Sequence, residues 1–210
     1  MSYESVITDL KTLMRRDLLE IDPKEHKARV EGESDRANLI MQAAVLERFV
    51  VHKLVEQMET INADETAAIF QFEGPCGSFS SRIKMAQALG IISRKMRKRL
   101  DLIREMRNVA AHAHPDIDFS TKEIRNAVCA LVDAKHRDVL DVMPPAVLRS
   151  TFHFLVGKFI RQMVYGDDET GIEVGMATFR KAAIKNGLLP SPDKSPQPKS
   201  RGRPRKGGKA

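Results

Sequence analysis

Helical spacing of apolar residues is the strongest constraint on how this chain can fold. Apolar residues recur three and four positions apart through most of the chain, most clearly within residues 3–21, 34–58 and 145–163. Such spacing places them on one face of an α-helix. The sequence shows no strand-like alternation of useful length, and aromatic residues make up only 5% of it. It therefore predicts an all-α fold, a single-domain bundle of six to eight helices.

Capping residues and prolines predict where several helices begin. Ser120 and Glu123 have the spacing of a capping box, in which each side chain accepts a hydrogen bond from a free backbone N–H. A further short helix is expected over residues 172–187. The other expected starts are Ser34, Asp64, either Ser78 or Ser80, Ser93 and Pro144-Pro145.

The helix over residues 145–163 has an unusually wide apolar face. Its apolar residues cover more than half of the circumference, which is more than a surface helix needs. Either it is the central helix of the core, or part of its face is shared across a homodimer interface.

Charge divides the chain into two parts. Residues 190–210 hold seven basic residues and one acidic residue, or +6 of the total net charge of +7. This segment begins Pro-Ser-Pro-Asp-Lys-Ser-Pro-Gln-Pro, and such a composition cannot build a core. The sequence predicts a helical domain over residues 1–189, with a charge near +1, and a disordered basic tail over residues 190–210.

Several classes of function are disfavoured by the sequence. Charges stand where a signal peptide would have its apolar run, and no apolar stretch approaches the roughly 18 residues of a membrane span. A cytoplasmic protein without a membrane partner is expected. Cys76 and Cys129 form no CxxC pair, and we expect reduced thiols. The sequence suggests no metal and no cofactor, and it contains no phosphate-binding glycine loop and no Ser-His-Asp arrangement.

One helix carries the strongest candidate for chemistry, which we call the Arg/His array: Arg104, Arg107, Asn108 and His112. At about 100° per residue, Asn108 and His112 share a face with Arg104, and Arg107 lies at the flank. The array is either structural or a site that binds a phosphodiester and donates a proton to a leaving oxygen. The adjacent basic stretch, residues 94–99, either steers RNA or is a solvated helical face.

The segment around this array resembles a known family. Gly77-Ser78-Phe79, Arg82-Ile83-Lys84, residues 88–92 and Arg107-Asn108 look like the central block of the MltR family of mannitol operon repressors. The resemblance is strongest over residues 74–112 and extends over roughly 34–165. Residues 107–112 also resemble the Arg-polar-x-x-x-His signature of HEPN domains, helical modules that include metal-independent ribonucleases. The HEPN resemblance implies a site built from two protomers.

The tail contains a second motif. Ser200-Arg201-Gly202-Arg203-Pro204-Arg205-Lys206-Gly207-Gly208 resembles the AT-hook, a short peptide that binds DNA. Gly202 permits close approach to the floor of a narrow minor groove, and Pro204 keeps the chain extended. Arg201 and Arg203 then lie along A·T edges, where the negative potential is deepest. Arg205 and Lys206 reach phosphates. The other interpretation is a basic solubilising tail.

Together these features predict an MltR-like regulator or adaptor, associated with the nucleoid. It would bind A·T-rich DNA through residues 201–206 and bind itself or a regulatory protein through its helical body. The alternative is a dimeric HEPN-type ribonuclease that acts on RNA without metal. A non-catalytic nucleoid-associated adaptor is a third possibility.

Overall fold

The fold is described by a computed structural model for residues 32–58, 62–113, 116–166 and 169–191. Within these residues the chain forms eight α-helices and no strand, so the predicted all-α bundle is confirmed. The helix expected within residues 3–21 and the AT-hook-like motif lie outside the described residues. The helices are α1 (Asp35–Gln57), α2 (Ala63–Phe70), α3 (Phe79–Ala88), α4 (Arg94–His112), α5 (Lys122–Ala130), α6 (Arg137–Asp141), α7 (Pro145–Tyr165) and α8 (Thr170–Lys185).

Short polar side chains start four of the eight helices, three of them as predicted. Ser34, Ser78 and Ser93 each accept a hydrogen bond from a backbone N–H of the first turn, at 3.0–3.2 Å. Helix α2 is an exception, since it begins after Asn62 and not at Asp64. Asn62 and Glu65 form a reciprocal capping box there, which satisfies two free N–H groups.

The capping box predicted at Ser120 and Glu123 is wrong. Helix α5 begins after Thr121, and no side chain accepts a hydrogen bond at its start. Asp118 organises the turn instead, because its Oδ1 accepts hydrogen bonds from the N–H groups of Ser120 (2.8 Å) and Thr121 (2.9 Å). The Ser120 hydroxyl also donates to Asp118 Oδ1, at 2.6 Å, and it accepts no backbone hydrogen bond at the start of α5.

Helix α1 lies at the centre of the bundle, in contact with α3, α4 and α7. Its buried face includes Leu39, Leu46 and Leu54, none of which is exposed to solvent. Helix α4 contributes the face expected from its sequence, and all five of its predicted core residues are buried. These are Met96, Leu100, Ile103, Met106 and Ala110.

Helix α7 is a core helix. Phe152 and Phe159 are fully buried, and the flanking Phe154 and Ile160 pack against the core of the same protomer. Helix α8 covers one side, where the rings of Phe154 and Phe179 meet edge to face with centroids 5.9 Å apart. Contacts within one protomer therefore explain the wide apolar face of α7. A homodimer stays a prediction, but this face no longer supports it.

The segment between α5 and α7 has more structure than the sequence indicated. A 3₁₀ turn (Ala134–His136) leads into α6, for which no helical signal was recognised. Arg125 donates to the carbonyls of Leu140 (3.1 Å) and Met143 (2.9 Å), and Arg180 of α8 binds both oxygens of Asp138 at 2.7–2.8 Å. Contacts from elsewhere in the bundle thus hold this short helix. No helix of the described residues is long and apolar enough to cross a membrane.

Candidate functional site

The Arg/His array lies on the last turns of α4, as predicted. Arg104 is 26% exposed and Arg107 is 36% exposed, while His112 is the last residue of the helix and is exposed. The four side chains differ in how they are held, and these differences decide what the array can do.

Arg107 is held by a carboxylate from another helix. Its Nη1 lies 3.1 Å from Oε2 of Glu47 on α1. The other oxygen of Glu47 accepts a hydrogen bond from Nη1 of Arg82 on α3, at 2.7 Å. Glu47 is only 14% exposed. Its carboxylate bridges two cations at the junction of three helices. The bridge supports the structural interpretation of Arg107.

Arg104 and Asn108 are both held by Glu105. Arg104 Nη2 donates to one oxygen of Glu105, and Asn108 Nδ2 donates to the other at 3.4 Å. Arg104 Nε also lies 3.9 Å from Asp101 Oδ1. The positive charge of Arg104 is therefore offset by two carboxylates of its own helix.

His112 is the free member of the array. It makes no side-chain hydrogen bond or ion pair with any residue that the structure describes. The end of α4 is capped instead by Arg36, whose Nη1 donates to the carbonyls of Ala110 (2.8 Å) and Ala113 (3.1 Å). Arg36 thus satisfies carbonyls that a terminal histidine often supports.

Much of the basic stretch that precedes the array is committed to internal contacts. Lys95 binds Asp133 at 2.9 Å and also binds Glu169, and Arg97 lies 3.4 Å from Asp101. Arg99 is 5% exposed; its Nε donates to the Leu131 carbonyl at 3.0 Å, and its guanidinium stacks on Phe159. Arg94, Lys95 and Lys98 are exposed, in agreement with a solvated helical face, whereas Arg99 is buried and joins α4 to the rest of the bundle. Steering of RNA by this stretch stays a prediction.

A feature that the sequence analysis missed lies between α2 and α3. The guanidinium of Arg82 holds the two ends of the loop over residues 71–78 together. It donates hydrogen bonds to the carbonyls of Phe70 (2.7 Å), Cys76 (2.7 Å) and Gly77 (3.4 Å). Phe72 projects from this loop with 94% of its surface exposed. An isolated loop phenylalanine gives no signal in a sequence, although a Gly-Pro-Cys-Gly turn beside it does indicate a tight loop.

Neither cysteine has the environment of a reactive thiol. Cys76 and Cys129 are free and buried, and burial raises the pKa of both. For Cys129, burial and the neighbouring Asp141 raise the pKa to about 12. No group of three potential metal ligands is present among the described residues.

The Arg/His array thus consists of one exposed imidazole, one amide, and two guanidinium groups that are already paired with carboxylates. Such paired cations attract a phosphate weakly, because their charge is neutralised locally. The predicted roles of Arg104, Arg107, Asn108 and His112 as catalytic residues stay predictions.

Comparison with known proteins supports the fold. No protein-family model matches the chain, and no curated protein matches it. The chain is similar to a solved structure, the X-ray structure of the MtlR–HPr complex from Escherichia coli, with a TM-score of 0.52 and 19% sequence identity. The similarity covers 65% of this chain and 96% of that chain. At this identity the likeness shows a shared helical fold.

Proposed function

We propose that this chain is an MltR-like regulatory protein with two binding parts. The helical body binds a protein partner, and the C-terminal tail binds A·T-rich DNA and holds the protein at the nucleoid. The observation that carries the proposal is the fold likeness to the MtlR–HPr structure, which covers nearly all of that chain. It agrees with the sequence resemblance of residues 74–112 to mannitol operon repressors.

A protein partner for the body is supported by charge. The body has a net charge near +1, and several of its arginines are paired with carboxylates. A surface of this kind releases few counterions from nucleic acid, so it gives little affinity for DNA or RNA. MtlR of the similar structure forms a complex with HPr, a protein. We infer that the body of this chain likewise acts through protein contacts.

DNA binding is assigned to the tail for the opposite reason. Residues 190–210 hold a net charge of +6. The Arg201-Gly202-Arg203-Pro204 core can lie along a narrow minor groove, and Arg205 and Lys206 add phosphate contacts. The regulator then needs no recognition helix in its body.

HPr is the natural first probe of the partner-binding half of this proposal. Calorimetric titration of Escherichia coli HPr into the full chain is expected to show saturable 1:1 binding, and deletion of residues 190–210 should leave it unchanged. A loss of HPr binding on deletion of the tail would contradict the assignment of partner binding to the body. The proposal would also be contradicted if HPr did not bind the full chain and DNA binding survived the deletion of residues 190–210.

The second candidate function is a HEPN-type ribonuclease. It is favoured by one observation, the exposed His112, which is available to a substrate and shares a helix face with Arg104 and Asn108. In this mechanism a 2′ hydroxyl of the RNA gives its proton to solvent as its oxygen bonds to the adjacent phosphorus, the bond from phosphorus to the 5′ oxygen breaks, and the protonated histidine donates a proton to that leaving oxygen. A homodimer would supply the second half of the site.

Incubation of the full chain with total RNA separates the two functions. The ribonuclease requires cleavage that persists in EDTA and is lost in His112→Ala and in Arg107→Ala, with both variants folded by circular dichroism. The regulator requires no cleavage above that of the His112→Ala control. Cleavage that EDTA abolishes would contradict the HEPN mechanism.

A further inference from the structure

We propose that the groove between α1 and α2, together with the loop over residues 71–78, is the docking surface for a cationic amphipathic helix of a protein partner. The inference rests on the proposed function, since it names the surface through which the body would bind its partner.

The groove is large, open and mainly apolar. It has a volume of about 1170 Å³, which exceeds the roughly 300–1,000 Å³ of most small-molecule sites. Its apolar lining comes from both helices and from the loop: Val51, Ala63, Ala67, Phe70 and Phe72. Small side chains at two of these positions leave room for a partner's larger ones. A groove of this size and lining suits the apolar face of a helix.

Phe72 has the properties of an anchor residue. The residue is 94% exposed, and it is the one phenylalanine among the large hydrophobic residues of the described chain that are exposed. Burying such a ring against a partner would remove much apolar surface from water, and aromatic anchors dominate the energy of many interfaces. Phe72 at the rim of the apolar groove is therefore the residue on which we base the anchor of the proposed interface.

The loop that presents Phe72 is rigidly built. A Cβ atom added at Gly74 would lie 2.3 Å from the Ala68 carbonyl oxygen, and one added at Gly77 would lie 2.3 Å from the Phe72 carbonyl oxygen. The backbone is thus packed at distances that only glycine permits. Arg82 fixes the same loop by hydrogen bonds to three carbonyls. Because the loop is already ordered, binding would cost little additional conformational entropy.

The charges around the groove identify the chemistry of the occupant. Asp64 and Glu73 line it, and neither has an ion-pair partner among the described residues. Arg82 is the one cation of the lining, and it is paired at 2.7 Å with Glu47, which it shares with Arg107. The groove thus presents two uncompensated carboxylates beside an apolar floor. A helix with lysines or arginines flanking an apolar stripe complements both features.

Other occupants fit less well. A second copy docked by a two-fold axis would bring the same acidic rim against itself. The chain's own tail is cationic, but residues 190–210 include no apolar side chain larger than proline. Residues 3–21 have an apolar pattern, but with three basic and four acidic residues they carry a net charge of −1.

A pair of synthetic helical peptides tests the assignment. One peptide repeats leucine and lysine with helical periodicity, and the other replaces every lysine with glutamate. Fluorescence anisotropy with the full chain is expected to show saturable binding of the leucine–lysine peptide only. Phe72→Ala should weaken it by about tenfold or more. The double variant Asp64→Lys with Glu73→Lys should weaken it similarly and raise affinity for the leucine–glutamate peptide.

The matched control is Val174→Ala, which trims an exposed apolar residue of α8 (62% exposed) far from the loop in sequence. It should leave peptide binding unchanged. Because Phe72, Asp64 and Glu73 make no core contacts, these variants are expected to fold, and thermal melts check this. Equal binding of the leucine–lysine peptide to the parent chain and to Phe72→Ala would overturn the proposal. A dimer that sedimentation shows to depend on Phe72 would also overturn it, because a second copy would then be the occupant.

The groove assignment and the proposed regulatory function can fail independently of each other. If HPr binds the full chain and Phe72→Ala leaves that affinity unchanged, the regulator stands and the groove assignment fails. If the peptide depends on Phe72 while HPr and DNA show no binding, the groove stands and the proposed regulator fails.

Discussion

At the scale of single residues, shared carboxylates define the surroundings of the Arg/His array. Glu47 binds Arg82 at 2.7 Å and Arg107 at 3.1 Å, and both of its cations come from other helices. Removing one member of such a bridge leaves a partly buried charge without a partner, and that is the main energetic cost. Arg82 is the more buried cation, at 16% exposure, so it depends most on Glu47.

We predict that Glu47→Gln destabilises the fold by about 1–3 kcal/mol, because Arg82 loses its counter-charge in a partly buried site. Arg107→Gln should cost less, about 0–1 kcal/mol, because Arg107 is more exposed. Urea unfolding monitored by circular dichroism measures both, with Glu105→Gln as the exposed control. An equal cost for the two variants would contradict this account of the bridge.

The sequence predicted the placement of the array but not its partners. Residues 104–112 lie on one helix because apolar residues at 96, 100, 103, 106 and 110 set the helical period. Glu47 is 60 residues from Arg107, and nothing in local spacing indicates that contact. Arg36 is likewise 74 residues from the carbonyl of Ala110 that it caps. Long-range polar contacts of this kind depend on how helices cross, which periodicity does not specify.

At the scale of helices, the sequence predicts the first residue of a helix best where a single capping side chain or proline fixes it. Ser34, Ser78 and Ser93 cap as expected, and Pro145 occupies the first turn of α7. The capping box predicted at Ser120 failed because Asp118 accepts the hydrogen bond from the Ser120 N–H that the Glu123 side chain would have accepted. Helix α6 was missed because five residues are too few to show a period, and tertiary contacts hold it.

Glycines test how tightly these elements are built. Gly157 lies on the exposed face of α7 with open space around it, so Gly157→Ala should stabilise the protein by about 0.5–1 kcal/mol. Gly74→Ala should destabilise it by more than about 1 kcal/mol, because the new Cβ would collide with backbone oxygens. Urea midpoints of the two variants should move in opposite directions. A neutral Gly74→Ala would show that the loop over residues 71–78 is not rigid.

Ion pairs join α8 to α6 and to the 3₁₀ turn before α6, and this predicts a loss of stability in acid. A hydrogen bond from Arg180 lowers the pKa of Asp138, and bonds from Lys135 and His136 lower the pKa of Glu173. With a lowered folded-state pKa, each group contributes its full stabilisation above the ordinary values of 3.8 and 4.5. That contribution is lost as the pH falls through the folded-state pKa.

The melting temperature should therefore fall as the pH drops below about 4.5, where the unfolded chain begins to bind protons. Arg180→Gln should lower stability near neutral pH and flatten this acid dependence. Lys181→Gln is the matched control, since Lys181 is exposed and has no ion-pair partner among the described residues. An acid dependence that is unchanged in Arg180→Gln would contradict the role given to Asp138.

At the scale of the whole molecule, the sequence separates a nearly neutral body from a strongly basic tail. The helical body follows from periodicity, and its likeness to the MtlR–HPr structure agrees with that prediction. The groove beside Phe72 could not be predicted, because it arises from how α1, α2 and the loop meet. The central claim is that this body binds proteins while the tail supplies the affinity for DNA.

The most direct test of this claim is a DNA titration of three proteins: the full chain, a deletion of residues 190–210, and the double variant Gly202→Ala with Arg203→Lys. Fluorescence anisotropy on A·T-rich and G·C-rich duplexes, at several salt concentrations, measures affinity and preference. The full chain should prefer A·T-rich DNA by about 1–3 kcal/mol, because the guanine amine blocks the groove floor. The double variant keeps the charge and should retain weak, salt-sensitive binding without preference, and the deletion should abolish binding. Binding by the deletion variant at physiological salt would contradict the account, because the body would then hold a DNA-binding surface of its own.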